Sequence, residues 1–232
     1  MKLALSNSVK QRGGEADWTP SSISSLIHWY KYDTGIIKDS EDDVTAWNDQ
    51  KGSNNLTADG VAANSPLYSS GAIHFNSNAD LLSFGSTLNL GTFSIYLRFE
   101  VSSFGTADFM LNPTGQDFLK TQSASEMRIK IDNGARHDIP LGLTMSTGTK
   151  YNVGIEREDT GSTTDDQMFL FLNNVSKSIG GSGGGTQDIT ELFTLTSLGK
   201  PTADVKFYEI IICNDSLSSS DRSNLETYLN TK

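Results

Sequence analysis

Residues 93–101 are Phe93-Ser94-Ile95-Tyr96-Leu97-Arg98-Phe99-Glu100-Val101, and they alternate between apolar and more polar side chains. Successive side chains of a β-strand point to opposite faces of its sheet. The apolar side chains at the odd-numbered positions therefore share one face, while serine, tyrosine, arginine and glutamate share the other. The stretch predicts a half-buried antiparallel strand that lies against a hydrophobic core.

The same alternation recurs further along the chain. Residues 127–132 repeat it, and residues 151–155 continue it with tyrosine, valine and isoleucine on one face. Two later runs, 167–172 and 205–213, are apolar on both faces, so we expect central strands or strands that another element covers. The glycine-rich residues 180–185 predict a plain loop, because a phosphate-binding loop needs a Lys-Ser/Thr pair or a helix directly after it.

One helix is predicted, near the C-terminal end of the chain. Ser218 can cap its N-terminus, and Asp221 falls in the first turn, where a negative charge is favourable. Leu225, Tyr228 and Leu229 then form the i, i+3, i+4 stripe that docks a helix on a core. Many short strands and one short helix predict an all-β fold, an antiparallel β-sandwich.

Charge and composition exclude several classes of function. The net charge is −10, which disfavours nucleic acid as a partner because phosphate backbones are repelled. The lone Cys213 leaves no intrachain disulfide, and no apolar run approaches the ~20 residues of a membrane span. Residues 1–7 lack the apolar stretch of a signal peptide, so we expect synthesis in a cytoplasm without export.

Four blocks in order resemble concanavalin A-like, laminin-G-type jelly-roll domains of bacterial and phage proteins. The blocks are residues 26–52, residues 93–101, residues 151–175 with their Leu-Asn-Asn-Val turn, and residues 207–218. The resemblance covers roughly residues 18–230. It divides the chain into an N-terminal arm, residues 1–17, and a jelly-roll domain, residues 18–232. It is weak evidence for function, because one fold serves many roles.

Together with the short arm and the missing export signal, this resemblance predicts a non-enzymatic phage virion protein that decorates the capsid or an appendage in many copies. The arm would attach it to other virion proteins, and a frayed terminus is the alternative interpretation of that segment. An alternative function is a carbohydrate-binding or adhesin module, such as a tail-fibre or receptor-binding protein, with glycans as partners. The arm residues expected to contact the partner are Leu3, Leu5, Val9, Lys10 and Arg12.

Glu209 is the candidate metal ligand. Strict alternation places it on the same face as Val205 and Phe207, where an ionised carboxylate needs a charged or hydrogen-bonding partner. The resemblance implies calcium between this acid and an aspartate in an early loop, for which Asp33 and Asp49 are the candidates. The alternatives are hydrogen bonds that Glu209 accepts from backbone amides, or a register that is off by one.

Sugar binding and catalysis have weaker candidates. Tyr96 and Tyr208 fall opposite the core stripes and are the candidate exposed sugar-binding tyrosines, whereas Trp29 and Trp47 are predicted core residues. A glycosidase needs two facing carboxylates, and the nearest run is Glu156-Arg157-Glu158-Asp159. We interpret that run as a solvated strand end. No Gly-x-Ser-x-Gly motif is present, so we predict no enzyme activity.

Overall fold

The structure of the chain is a computed structural model that describes residues 18–105, 107–112, 116–131, 136–158, 168–177, 179, 192–199 and 204–232, without the side chains of residues 107 and 108. The predicted N-terminal arm, with Leu3, Leu5, Val9, Lys10 and Arg12, lies outside the described residues, as do residues 180–185 of the predicted glycine-rich loop.

The strands of the described residues are short, and one helix follows them. In chain order the elements are β1 Leu26–Tyr30, β2 Ile36–Lys38, β3 Val44–Trp47, β4 Leu56–Thr57, β5 Leu67–Ser69, β6 Ala72–Phe75, β7 Leu81–Leu90, β8 Phe93–Ser103, β9 Ala107–Leu111, β10 Phe118–Ser123, β11 Glu126–Lys130, β12 Arg136–Pro140, β13 Lys150–Arg157, β14 Met168–Leu172, β15 Val175–Lys177, β16 Phe193–Gly199, β17 Asp204–Cys213 and the helix α1 Ser219–Leu229. Single 3-10 turns occur at Pro20–Ser22 and Ala62–Asn64.

These strands form two antiparallel sheets that pack as a sandwich. The first sheet has the order β15-β14-β13-β8-β17-β6-β5, and β1 also pairs with β17. The second sheet has the order β12-β11-β10-β9-β16-β7-β4-β3-β2. The predicted all-β antiparallel sandwich with one short C-terminal helix is confirmed.

Strand β8 behaves as its alternation predicts on one face only. Phe93, Ile95, Leu97, Phe99 and Val101 are fully buried in the interior core between the two sheets. The opposite face is also covered, because a second cluster lies on the outer side of the first sheet. We call this the outer cluster; its buried members are Ile23, Leu26, Trp29, Tyr96, Ile211, Cys213, Leu217, Leu225 and Leu229.

Helix α1 covers the outer cluster. The Ser218 hydroxyl accepts a hydrogen bond from the Asp221 N–H at 3.1 Å, which confirms the predicted cap. Leu225 and Leu229 are fully buried against the first sheet. The helix therefore docks through the predicted stripe. Among the described residues, no helix has the length and apolar character required to cross a lipid bilayer.

A β-bulge at Tyr208 splits strand β17 into two registers. Phe207 pairs with Phe99 of β8, but Glu209 pairs with the next residue, Arg98, so Tyr208 is an extra residue. A one-residue shift exchanges the faces of a strand. The prediction that Glu209 shares a face with Phe207 is therefore wrong.

The bulge changes which residues of β17 face the interior core. Before the bulge, Val205 and Phe207 point into the interior core, and after it Ile210 and Ile212 do so. Glu209 therefore falls on the face that Ile211 and Cys213 present to the outer cluster. This register brings a carboxylate beneath helix α1.

Candidate functional site

Glu209 is the centre of a hydrogen-bonded group on the outer side of the first sheet. The side chain is fully buried. Its Oε1 accepts hydrogen bonds from Trp29 Nε1–H at 2.6 Å and from the Tyr228 hydroxyl at 2.7 Å. Its Oε2 accepts from the Tyr32 N–H at 3.3 Å. Burial raises the pKa of Glu209, and these three hydrogen bonds oppose that rise.

These hydrogen bonds hold the rings of Trp29 and Tyr228 in place, and a third aromatic ring packs against Tyr228. The rings of Trp29 and Tyr228 meet edge to face with centroids 6.2 Å apart. On the other side of Tyr228, the Trp18 ring makes the same kind of contact at 6.3 Å. Edge-to-face pairs of this kind are favourable and directional. Glu209 thus holds Trp29 and Tyr228 directly, and Trp18 packs against Tyr228 to complete a row of three aromatic side chains.

A cleft of about 520 Å³ opens above this row, and we call it the Trp18–Tyr228 cleft. Its volume lies in the usual range for small-ligand sites, which is roughly 300–1,000 Å³. The residues that line it are Trp18, Thr19, Lys31, Asn224, Thr227, Tyr228, Thr231 and Lys232. Two aromatic side chains therefore share a concave surface with hydroxyl, amide and ammonium groups.

Each lysine of the cleft lies over an aromatic ring. Lys31 Nζ is 5.1 Å from the Trp29 ring centroid, and Lys232 Nζ is 4.3 Å from that of Tyr228. Both distances are in the range of cation–π contacts. The rings thus position the two ammonium groups at the wall of the cleft.

The sequence pointed to Glu209, which bonds to the cleft residue Tyr228, but missed the residues that line the cleft. Lys31 is part of the block that carried the family resemblance, and Tyr228 was assigned only to helix packing. Trp18 and Lys232 lie near opposite ends of the described chain, and only the fold brings them together. No local pattern predicts such a contact, although the amphipathic stripe of α1 places Tyr228 near a sheet.

The three predicted calcium ligands lie in separate hydrogen-bonded groups. Glu209 binds the donors described above, and Asp33 Oδ1 accepts from the Tyr68 hydroxyl at 2.6 Å. Asp49 forms a third group around β1. In the described ranges, no three His, Cys, Asp or Glu side chains come together as a metal site. Calcium binding stays a prediction.

Asp49 is a buried acceptor for several donors. Its Oδ1 accepts from the N–H groups of Trp29 at 3.0 Å and Lys51 at 2.9 Å. Its Oδ2 lies 2.7 Å from His28 Nδ1 and accepts from the Asn54 N–H at 3.4 Å. Burial alone would raise the pKa of Asp49, but the hydrogen bonds outweigh it and lower the pKa to about 2.

The lowered pKa of Asp49 predicts a pH-dependent contribution to stability. The folded-state pKa is below the ordinary value of 3.8, so this stability is present above pH 3.8 and is lost as the pH falls toward 2. We expect Asp49→Asn to reduce the free energy of unfolding by about 2 kcal/mol at pH 7, with the difference shrinking through that window. Urea denaturation at a series of pH values measures it, with Asp33→Asn as the control. An Asp49→Asn deficit that is the same at pH 7 and at about pH 2.5 would contradict the assignment.

The two tyrosines predicted as exposed sugar contacts are both buried. Tyr96 is 2% exposed, because helix α1 covers it. Tyr208 is 5% exposed, because its ring lies between Tyr32, whose centroid is 6.1 Å away, and Lys150 Nζ at 3.9 Å. The Tyr208 hydroxyl donates to Glu100 Oε2 at 2.9 Å. The predicted exposure is wrong for both, and a role in sugar binding stays a prediction.

The predicted solvated strand end at Glu156 is also wrong. Glu156 is fully buried and forms a two-point ion pair with Arg222 of α1, through Arg222 Nε to Oε1 at 3.1 Å and Nη2 to Oε2 at 2.8 Å. The Tyr96 hydroxyl donates a third hydrogen bond to Oε1. A β-carbon on Gly154 would lie 2.3 Å from the Tyr96 ring, so only glycine permits this packing. The pair ties the helix to the sheet.

The predicted packing of two tryptophans is confirmed. Trp47 is fully buried in the interior core, where its ring lies 5.7 Å from that of Tyr30. Trp29 is 8% exposed and belongs to the outer cluster. Trp29 therefore supports the cleft from beneath.

Comparison with known proteins identifies the fold of this chain. No protein-family model matches it, and no curated protein matches its sequence. Its structure is similar to that of Trypanosoma rangeli sialidase in complex with sialic acid, with a TM-score of 0.61 and 14% identity over 94% of this chain and 34% of that one. The chain thus spans about a third of the length of the sialidase.

Two binding domains are also similar in structure. The binding domain of botulinum neurotoxin DC, solved with rat synaptotagmin II, gives a TM-score of 0.53 and 13% identity over 88% of this chain and 52% of that one. A crystal structure of a receptor-binding domain gives 0.55 and 12% over 88% and 51%. At these identities the likeness shows a shared β-sandwich fold.

Proposed function

We propose that this chain is a glycan-binding β-sandwich module that holds a saccharide in the Trp18–Tyr228 cleft without hydrolysing it. The observation that carries this proposal is the cleft itself, in which aromatic rings adjoin hydroxyl, amide and ammonium groups. Aromatic faces bind the apolar faces of sugar rings, and polar groups fix the orientation of a ligand.

The support beneath the cleft favours binding by a preformed surface. Glu209 accepts from both Trp29 and Tyr228, so these rings keep their positions without a ligand. A site that is ordered before binding avoids the entropy cost of ordering it afterwards. The similarity to a receptor-binding domain and to the binding domain of a neurotoxin fits the same role.

The engagement of two buried acids on the outer side of the first sheet supports binding without hydrolysis. Both oxygens of Glu156 are bonded to Arg222 beneath α1, and Glu209 is enclosed by its three donors. A glycosidase needs two carboxylates that face the scissile bond from opposite sides. Neither of these carboxylates lines the cleft.

The virion role implied by the sequence resemblance stays a prediction, together with the concanavalin A-like family and the cytoplasmic synthesis. Its attachment residues belong to the arm, which lies outside the described residues. A glycan-binding module is compatible with a place on a virion appendage.

A glycan array followed by calorimetry tests the proposed function. We expect Trp18→Ala to weaken the best-bound saccharide at least about tenfold, because truncating a central aromatic contact costs more than about 1 kcal/mol. The matched control is Phe118→Ala, since Phe118 lies on the second sheet with Lys120 Nζ 4.6 Å from its ring centroid.

The outcomes separate the two parts of the proposal. Binding that Trp18→Ala leaves intact would contradict the assigned site, and an array with no bound saccharide would contradict the function. Release of reducing sugar from a bound glycan would contradict the absence of hydrolysis.

A further inference from the structure

We infer that the Trp18–Tyr228 cleft selects saccharides that carry an anionic group, a carboxylate or a sulfate, which Lys31 and Lys232 bind. This inference rests on the proposed function and names the ligand class of the same site. The arrangement of charge around the cleft supports this inference.

The two ammonium groups lie over neighbouring aromatic rings. Lys31 lies over Trp29 and Lys232 over Tyr228, and these two rings are in edge contact. A lysine side chain loses rotamer freedom when a ligand fixes it. Placement on aromatic faces reduces that loss, because the ammonium groups already lie near the cleft wall.

Neither ammonium group has a carboxylate partner within the described part of the chain. The ion pairs found there involve other cations, such as Lys206 with Glu100 at 3.2 Å and Arg222 with Glu156. None of the described residues that line the cleft has an acidic side chain. An anionic ligand is thus the missing counter-charge at this surface.

Glu209 forms no close ion pair with either lysine. Its side chain is fully buried, and its oxygens are occupied by Trp29, Tyr228 and Tyr32. Lys232 interacts with it electrostatically at longer range, which lowers the pKa of Glu209 against the larger rise caused by burial. Its role is to position the rings that carry the cations.

The net charge of the whole chain makes the preference of the cleft for anionic saccharides a local property. With a net charge of −10, the protein as a whole disfavours the approach of anions. The cleft differs from this average, because its described lining has two lysines and no acidic side chain. The anionic group of a sugar would bind there, while its ring packs against the aromatic wall.

Matched oligosaccharides test the inference by calorimetry at low and moderate salt. The pairs are galactotriose with trigalacturonate, lactose with sialyllactose, and agarotetraose with a sulfated carrageenan tetrasaccharide. We expect the anionic member of a pair to bind about tenfold more tightly, with the preference falling as salt screens the charges. Arms with carboxylate and with sulfate show which anion the cleft prefers.

Lysine variants connect the preference to the site. Lys31→Gln and Lys232→Gln should each weaken binding of the anionic ligand severalfold and weaken binding of the neutral one less, so that the anionic preference shrinks. Lys120→Gln is the matched control, because Lys120 lies over Phe118 on the other sheet. Trp18→Ala should weaken both members of a pair.

The results distinguish this inference from the proposed function. Equal binding of neutral and anionic members, or an anionic preference that survives both lysine variants, would overturn the inference and leave glycan binding intact. Absence of binding by every oligosaccharide in the set would overturn both.

Discussion

Replacing Arg222 by alanine should destabilise the protein by about 3–5 kcal/mol. Glu156 is fully buried and its two oxygens depend on the Arg222 guanidinium. Removing one partner of a buried ion pair leaves an uncompensated charge, which is far more costly than the net value of the pair. The same variant removes the contact between the guanidinium and the Phe171 ring, 4.0 Å apart.

Urea denaturation of a small set of variants measures this effect. Arg222→Lys keeps the charge but loses the two-point geometry, so an intermediate loss is expected. The double variant Glu156→Gln/Arg222→Met should recover part of the stability, because neither charge remains buried. Lys38→Ala is the control, since Lys38 pairs with Asp42 in an exposed i,i+4 arrangement worth less than about 1 kcal/mol. A similar loss for Lys38→Ala and Arg222→Ala would contradict the role of burial.

Replacing Glu209 by alanine should cost about 2–4 kcal/mol and also weaken ligand binding in the cleft. The change leaves Trp29 Nε1–H and the Tyr32 N–H without their acceptor, and each unpaired buried donor costs about 1–3 kcal/mol. It also frees Tyr228, whose ring forms part of the cleft wall. Glu209→Gln keeps one acceptor oxygen, so a smaller loss is expected.

The pH dependence of stability distinguishes the effect of replacing Glu209 from a general packing defect. Because the folded-state pKa of Glu209 lies above its ordinary value of 4.5, the folded state keeps a proton that the unfolded chain has released. Stability therefore falls as the pH rises from about 4.5 through the raised pKa. Glu209→Gln should lack this slope in denaturation curves recorded over that window. An unchanged slope would show that Glu209 does not titrate as assigned.

Local patterns predicted the interior of the sandwich correctly. The alternation of residues 93–101 identified the buried face of β8, and Ser218 with Leu225 and Leu229 identified the helix. These features depend on periods of two and 3.6 residues, which a sequence displays directly. They need no knowledge of which distant segment covers them.

The outer side of the first sheet could not be predicted in that way. Tyr96 and Glu156 have the pattern of solvent-facing residues, and they are buried only because α1 returns across the sheet. The face of Glu209 depends on one extra residue, Tyr208, which breaks the alternation without changing the composition of the strand. The cleft depends on both circumstances, so its lining could not be derived from the sequence.

The place of β17 in the first sheet determines when that sheet can form during synthesis. Strand β17 pairs with β8 on one side and with β6 and β1 on the other, so Leu26 of β1 meets Cys213. On the ribosome, β1, β6 and β8 emerge long before the strand that joins them. The edges of β1, β6 and β8 that face β17 stay unpaired until residues 204–213 leave the exit tunnel, and unpaired edges invite aggregation. The first sheet therefore closes as a late, non-local step.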